Sequence, residues 1–271
     1  MRYRRLLLGG TAAAAIAAAA LGLKSRRDTY LSFPTRFGRA RIYQVLDDGG
    51  EPVRLLEVGG IVQSGTYLDE RYTEPVFEYL KAYDLMFQAH RPLRRVCILG
   101  CGGYDYPEHL VASHPELSID AVEVDSAITA LARRYFFLDR LLAEYRPEEE
   151  GRLALIEADA LDFLREAPAR YDAIVNDTFD GGTPPAHLAG IGFLEAVRSR
   201  LNPEGLYLTN IVAPLLGPGS GFLYRQIALM GTVFAYTYIF PCDRSSLEEP
   251  DNIIAVATDS PLPPKLAARS L

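Results

Sequence analysis

Residues 96–125 constrain the fold most: V-C-I-L-G-C-G-G-Y-D, a helical stretch, then I-D-A-V-E-V-D. An apolar run of strand length (96–99) stops at Gly100, Gly102 and Gly103, and a second run (119–124) carries Glu123 near its end. Strand, glycine turn, helix, strand and acid form the plan of a nucleoside-binding βαβ unit. The glycines let backbone N–H groups come close to a ligand, and a carboxylate on the next strand tip accepts two hydrogen bonds from a ribose diol. The turn departs from G-x-G-x-x-G because its sixth position is Asp105. That favours adenosylmethionine-type proteins, which have no pyrophosphate to bind, over dinucleotide-binding ones.

The rest of the chain supplies the alternation that such a unit needs. After Asp125 the pattern reads helix (126–137), strand (153–156), helix (160–167), strand (171–175), helix (190–201), strand (206–212) and helix (222–234). Two closing strands, 236–240 and 252–257, form an antiparallel pair. The expected class is α/β, a methyltransferase-like (Rossmann-like) and mostly parallel sheet with helices on both faces. Ahead of it, 41–46, 53–58 and 61–64 are separated by Gly49-Gly50 and Gly59-Gly60, the pattern of a three-stranded β-meander too small to stand alone. A connecting helix is expected over 73–89, with Thr73 as a cap and Glu74 and Pro75 in its first turn. The domains expected are therefore an N-terminal segment (1–27), a small β domain (28–72) and an α/β domain (73–271) whose first part, 73–92, is the connection.

Residues 6–23 are uncharged and mostly alanine behind a basic start, a length suited to a marginal membrane span or the apolar part of an export signal. An anchor with the soluble part on the cytoplasmic side is the expectation, and export stays open. Residues 1–27 hold six basic residues and no acid, so the remainder carries 22 basic against 35 acidic residues. A surface of that sign repels phosphates, and no nucleic-acid partner is expected. Three cysteines are too few for a disulfide framework. No metal site is expected, because Cys97 and Cys101 have no His or second Cys pair beside them.

Ligands of open α/β sheets bind at the carboxyl ends of the strands, and acids gather there: Glu123, Asp159 in E-A-D-A, Asp177 in I-V-N-D, and Asp180 three residues later. Glu123 suits the ribose and Asp159 the adenine amino group, which can only donate. Asp159 is equally suited to cap the helix that follows it. Asp177 and Asp180 stand where the reactive end of the ligand would point, where carboxylates orient an amine and take its proton.

These residues resemble a family. Gln63-Ser64 with Tyr67-Leu68-Asp69-Glu70, then R-V-C-I-L-G-C-G-G, V-E-V-D, E-A-D-A-L-D-F-L and Y-D-A-I-V-N-D-T-F-D, are similar to the spermidine synthases, or polyamine aminopropyltransferases, over residues 40–258. The resemblance implies transfer of an aminopropyl group from decarboxylated S-adenosylmethionine, as co-substrate, to a putrescine-like amine, with methylthioadenosine released. It implies Asp177 as the catalytic acid-base group and Asp180 as its partner. Gln63 would lie near the sulfur, and Gly100, Gly102, Gly103, Glu123, Asp159 and Ala160 would form the cofactor-binding set. Tyr67, Glu74 and Asp105 would face the substrate, and a homodimer is one assembly left open.

The departures fall on the amine side. Gly103 stands where the family's glycine turn carries an acid, Tyr72-Thr73-Glu74 lacks the histidine of Y-H-E, and D-x-x-D-P becomes D-T-F-D-G. The late Y-P-x-G segment is also missing. Two alternatives therefore stay open: an S-adenosylmethionine-dependent methyltransferase, and a membrane-tethered nucleoside-binding protein without turnover.

Overall fold

The computed structural model describes residues 30–47, 49–89, 91–178, 184–243 and 246–271. The apolar segment 6–23 and Asp180 lie outside the described residues. Among the described residues no helix is long and apolar enough to cross a membrane.

Alternating apolar residues open the chain as a sheet of four antiparallel strands in sequential order: β1 (Leu31–Thr35), β2 (Gly38–Leu46), β3 (Pro52–Val58) and β4 (Ile61–Tyr67). This corrects the three-stranded meander. Gly38, at φ 120°, permits the turn that pairs it with Thr35, and β1 is added to the edge. Ala40, Ile42, Leu56 and Val58 on one face of this sheet pack against Ile128, Leu131 and Phe136 of the following region, so the small sheet is fixed to the large one.

The connecting helix is shorter than its apolar spacing suggests. The α-helix α1 covers only Glu78–Ala82, and Tyr83–Ala89 continue as a 3-10 helix. Phe77 is extended (φ −95°, ψ 129°) and Thr73 caps nothing. The Phe77 ring lies over Gly65 of β4, where even a Cβ would be 3.2 Å from it, and the helix begins only after that contact. Tyr79, Leu80, Tyr83, Leu85, Met86 and Ala89 are buried while Glu78, Lys81 and Gln88 stay exposed, so the amphipathic pattern runs through both the α and the 3-10 turns.

The second sheet has seven strands: β5 (Arg95–Leu99), β6 (Ser118–Glu123), β7 (Leu153–Glu157), β8 (Tyr171–Asn176), β9 (Leu201–Ala213), β10 (Tyr236–Pro241) and β11 (Asp251–Thr258). Their order is β10-β11-β9-β8-β5-β6-β7. From β7 to β9 neighbouring strands are parallel, and β10 and β11 join antiparallel. The helices are α2 (Asp105–Ser113), α3 (Ser126–Tyr135), α4 (Leu138–Tyr145), α5 (Ala160–Glu166), α6 (Ile191–Arg200), α7 (Gly221–Val233) and the short α8 (Pro264–Ala267). Strand β5 shows why both faces are covered: Val96 and Ile98 enter one core with Tyr83 and Leu110, while Cys97 and Leu99 enter another with Leu164 and Phe193.

Two local expectations need correction. The helix expected over 126–137 ends at Tyr135, and α4 begins after Phe137, whose φ of 69° breaks the path. Pro203 and Gly205 do not delay β9: the strand starts at Leu201, and the extra residues bulge between the Tyr171–Leu201 and Ala173–Leu206 pairs. The closing helix α8 carried no periodic signal in four residues.

Chain order reverses at β5, whose neighbours are β6 on one side and β8 on the other. That switch point opens a crevice at the carboxyl ends of these strands.

Candidate active site

Strand β5 delivers the glycine turn to the crevice. Gly100 has φ 80°, its N–H donates to the Val122 carbonyl (2.9 Å), and a Cβ on it would stand 2.6 Å from the Asp177 carbonyl oxygen. Only glycine fits between the ends of β5 and β8. At Gly102, φ 50°, a Cβ would meet the Ser64 hydroxyl at 2.7 Å.

Glu123 ends β6 beneath this turn. Its Oε2 accepts from the N–H groups of Cys101 (3.0 Å) and Gly102 (3.4 Å), and its Oε1 from that of Asp125 (3.0 Å). The residue is 7% exposed, and burial pushes its pKa up against the opposing effect of these backbone donors. Backbone contacts fix the plane of the carboxylate, and Oε1, which takes a single one of these donors, keeps a lone pair for a ligand hydroxyl.

Asp125 caps α3 through Oδ1 to Ala127 N (3.0 Å), while its Oδ2 accepts from Arg36 N at 2.5 Å. That bond holds the β1–β2 turn, with Arg36 and Phe37, at the crevice.

Asp159 caps α5, its Oδ1 accepting from Leu161 N (2.9 Å) and Asp162 N (3.3 Å). Its Oδ2 lies 2.8 Å from Nε2 of His187. Burial raises its pKa, but the His187 hydrogen bond and the two backbone donors outweigh that and hold it below the usual aspartate value.

Asp177 follows β8, and its N–H donates to the Leu99 carbonyl (2.8 Å). Its Oδ2 accepts from the Tyr79 hydroxyl at 3.0 Å. Burial pushes its pKa up to about 6, against the opposing hydrogen bonds of Tyr79, Asn210 and Tyr83. A carboxylate tuned to that range is a serviceable proton acceptor near neutrality.

One cavity of ≈200 Å³ joins these groups. Gln63, Gly100, Gly102, Glu123, Asp159, Ala160 and Asp177 line it, together with Arg36, Phe37, Leu56, Val58, Ile128, His187 and Leu188. Most of the wall is apolar and the polar groups are few, as suits a nucleoside site.

The remaining candidates lie elsewhere. Gly103 donates its N–H to Ser64 Oγ (2.5 Å), and a Cβ there would be 2.8 Å from both Ser64 Cβ and Asp105 Oδ1. Asp105 opens α2 after Tyr104 (φ 69°); it does not line the cavity but turns its Oδ2 to Gly65 N at 2.9 Å. Burial, helped by the charge of Asp177, pushes its pKa up to about 7. Tyr67 and Glu74, expected on the substrate side, do not line the cavity either: the Tyr67 ring lies under the Arg71 guanidinium at 4.5 Å, and Glu74 is exposed. Among the described residues no cluster of His, Cys, Asp and Glu could hold a metal.

Sequence reasoning missed His187, Arg36 and Tyr79 as site residues. Tyr79 carries no signal among the apolar residues of the connecting segment, and a single His in P-P-A-H-L has no distinguishing pattern.

Fold and crevice together define the Rossmann-like, methyltransferase-like α/β class, with its cleft at the switch point of the sheet. The spermine/spermidine synthase domain matches residues 82–220, about half of the sequence, and the chain belongs to that family. A polyamine aminopropyltransferase of Vibrio vulnificus (strain CMCP6) is 28% identical over 191 residues, 69% of this chain and 59% of that one. The chain thus spans about three fifths of the length of that relative. A probable spermidine synthase from Corynebacterium glutamicum has the same fold, with TM-score 0.70 at 21% identity over 86% of this chain and 81% of its own. Human methyltransferase-like protein 13 in complex with SAH aligns with TM-score 0.56 at 25% identity over 70% of this chain and 87% of its own.

Proposed function

We propose that the chain is a spermidine synthase-like transferase that moves an aminopropyl group from decarboxylated S-adenosylmethionine to a putrescine-like amine. The observation that carries this reading is the shared cavity, lined by Glu123 at the end of β6, Asp159 after β7 and Asp177 after β8. Glu123 would take the ribose diol and Asp159 the adenine amino group, with Gln63 near the sulfur.

The acceptor must arrive at the sulfonium as a free amine. Asp177 takes its proton; the nitrogen then attacks the adjacent carbon, a C–N bond forms, and the C–S bond breaks with its electron pair going to sulfur. Rate is gained by holding nitrogen and carbon in line and by keeping water from the charged centre.

The test is the identity of the thionucleoside released when the protein is given intact or decarboxylated donor with a panel of amines. Methylthioadenosine from the decarboxylated donor is the expected product.

One observation favours a second reading. The position at which the family carries an acid for the donor amine is filled by the Gly103–Ser64 contact, with no room for a side chain. A methyltransferase using S-adenosylmethionine needs no acid there and would release adenosylhomocysteine. A nucleoside-binding protein without turnover would release neither.

A further inference from the structure

Asp159 and His187 form a pair at 2.8 Å, and both line the cavity. The carboxylate has about four lone-pair sites. Two backbone N–H groups occupy Oδ1, and His187 occupies one site on Oδ2. Asp159 is held below the usual aspartate value, so at neutral pH it is ionised and only accepts. Nε2 of His187 therefore carries the hydrogen. Among the described residues no other group bonds Oδ2, so by this count one acceptor site is open on it, beside the donor of His187, a half-exposed side chain.

We propose that His187 determines which purines the cleft takes, by placing a donor next to the acceptor of Asp159. A 6-aminopurine gives its amino hydrogen to the free site on Oδ2 and leaves the His187 bond intact. A 6-oxopurine presents the reverse pattern, a carbonyl at C6 and a hydrogen on N1. His187 then turns from Asp159 and gives its Nε2–H to the carbonyl, the N1–H of the base takes the vacated site on Asp159, and the lone-pair repulsion that a bare carboxylate would impose is removed. The ligand class is thus the 5′-thionucleosides of both purine types. This rests on the nucleoside reading given above.

Calorimetric titration of the full chain with methylthioadenosine and methylthioinosine tests it, in the wild type, His187→Leu and His187→Gln. The wild type should bind the two ligands within about tenfold of each other. In His187→Leu the oxo ligand should lose about tenfold more affinity than the amino ligand, the size of one lost hydrogen bond. His187→Gln, which keeps an N–H donor, should restore part of that difference. A purely structural role for His187 would weaken both ligands alike, and an unchanged ratio in His187→Leu overturns the proposal, as does a wild type that binds only methylthioadenosine. If neither ligand binds the wild type, the nucleoside reading falls as well.

Discussion

The hydroxyl of Tyr79 donates to Oδ2 of Asp177 at 3.0 Å, so the proposed proton acceptor is held by a residue from the connection between the two sheets. The bond favours the ionised carboxylate, whereas burial favours the neutral acid and wins, bringing the pKa up to about 6. As a base Asp177 works when ionised, so transfer should rise as pH increases through that value. In Tyr79→Phe the acid limb of the rate–pH profile should move about one pH unit higher, the size of a hydrogen bond to a charged group. An unmoved limb would mean that Asp177 is not the group titrating.

Glu123 accepts from three backbone N–H groups, and an amide in its place turns one buried acceptor into a donor facing them. Glu123→Gln should weaken methylthioadenosine binding by about 10- to 100-fold and lower the melting temperature. Calorimetry and thermal unfolding measure the two effects separately.

Restoring an acid at position 103 should not restore a family-like amine site. A Cβ there meets Ser64 Cβ and Asp105 Oδ1 at 2.8 Å, and neither neighbour is the free end of a long side chain. Gly103→Asp should lose about 1–3 kcal/mol of stability without gain in transfer. The double variant with Ser64→Gly should recover part of the loss, as read from denaturant midpoints.

Asp105 gives a pH dependence of stability whose sign follows from its shift. Its carboxyl is raised from the ordinary 3.8 to about 7 in the folded chain. The folded state thus binds the proton more tightly, and the stabilisation is full below about pH 4 and lost as pH rises through 7. Buried Glu108, also raised, adds to the same slope. Asp105→Asn keeps a carbonyl for the Gly65 N–H, and urea unfolding at pH 5 and pH 8 should differ less for it than for the wild type.

Local patterns carried much of this into the sequence. The glycine turn and Glu123 are legible because a turn and a strand tip are set by neighbours in the chain. Asp159 and Asp177 could be found because each ends an apolar run. Asp105 could not be placed from its spacing, because its direction depends on the left-handed Tyr104 and on Gly65, 40 residues away. Likewise, Arg36 and His187 stand at the cavity with long-range bonds to Asp125 and Asp159, which spacing in the chain does not show. The helix expected over 73–89 starts late because Phe77 is held extended against Gly65 of β4, a contact that spacing along the chain does not reveal.

The division of labour along the cavity, with nucleoside held by Glu123 and Asp159 and the proton taken by Asp177, is tested most directly with Asp177→Asn. Single-turnover transfer from labelled decarboxylated donor should fall by about 10²- to 10⁴-fold, with methylthioadenosine affinity within about threefold of wild type, well under one hydrogen bond's worth. Transfer at the wild-type rate, or loss of the nucleoside together with the activity, would contradict it.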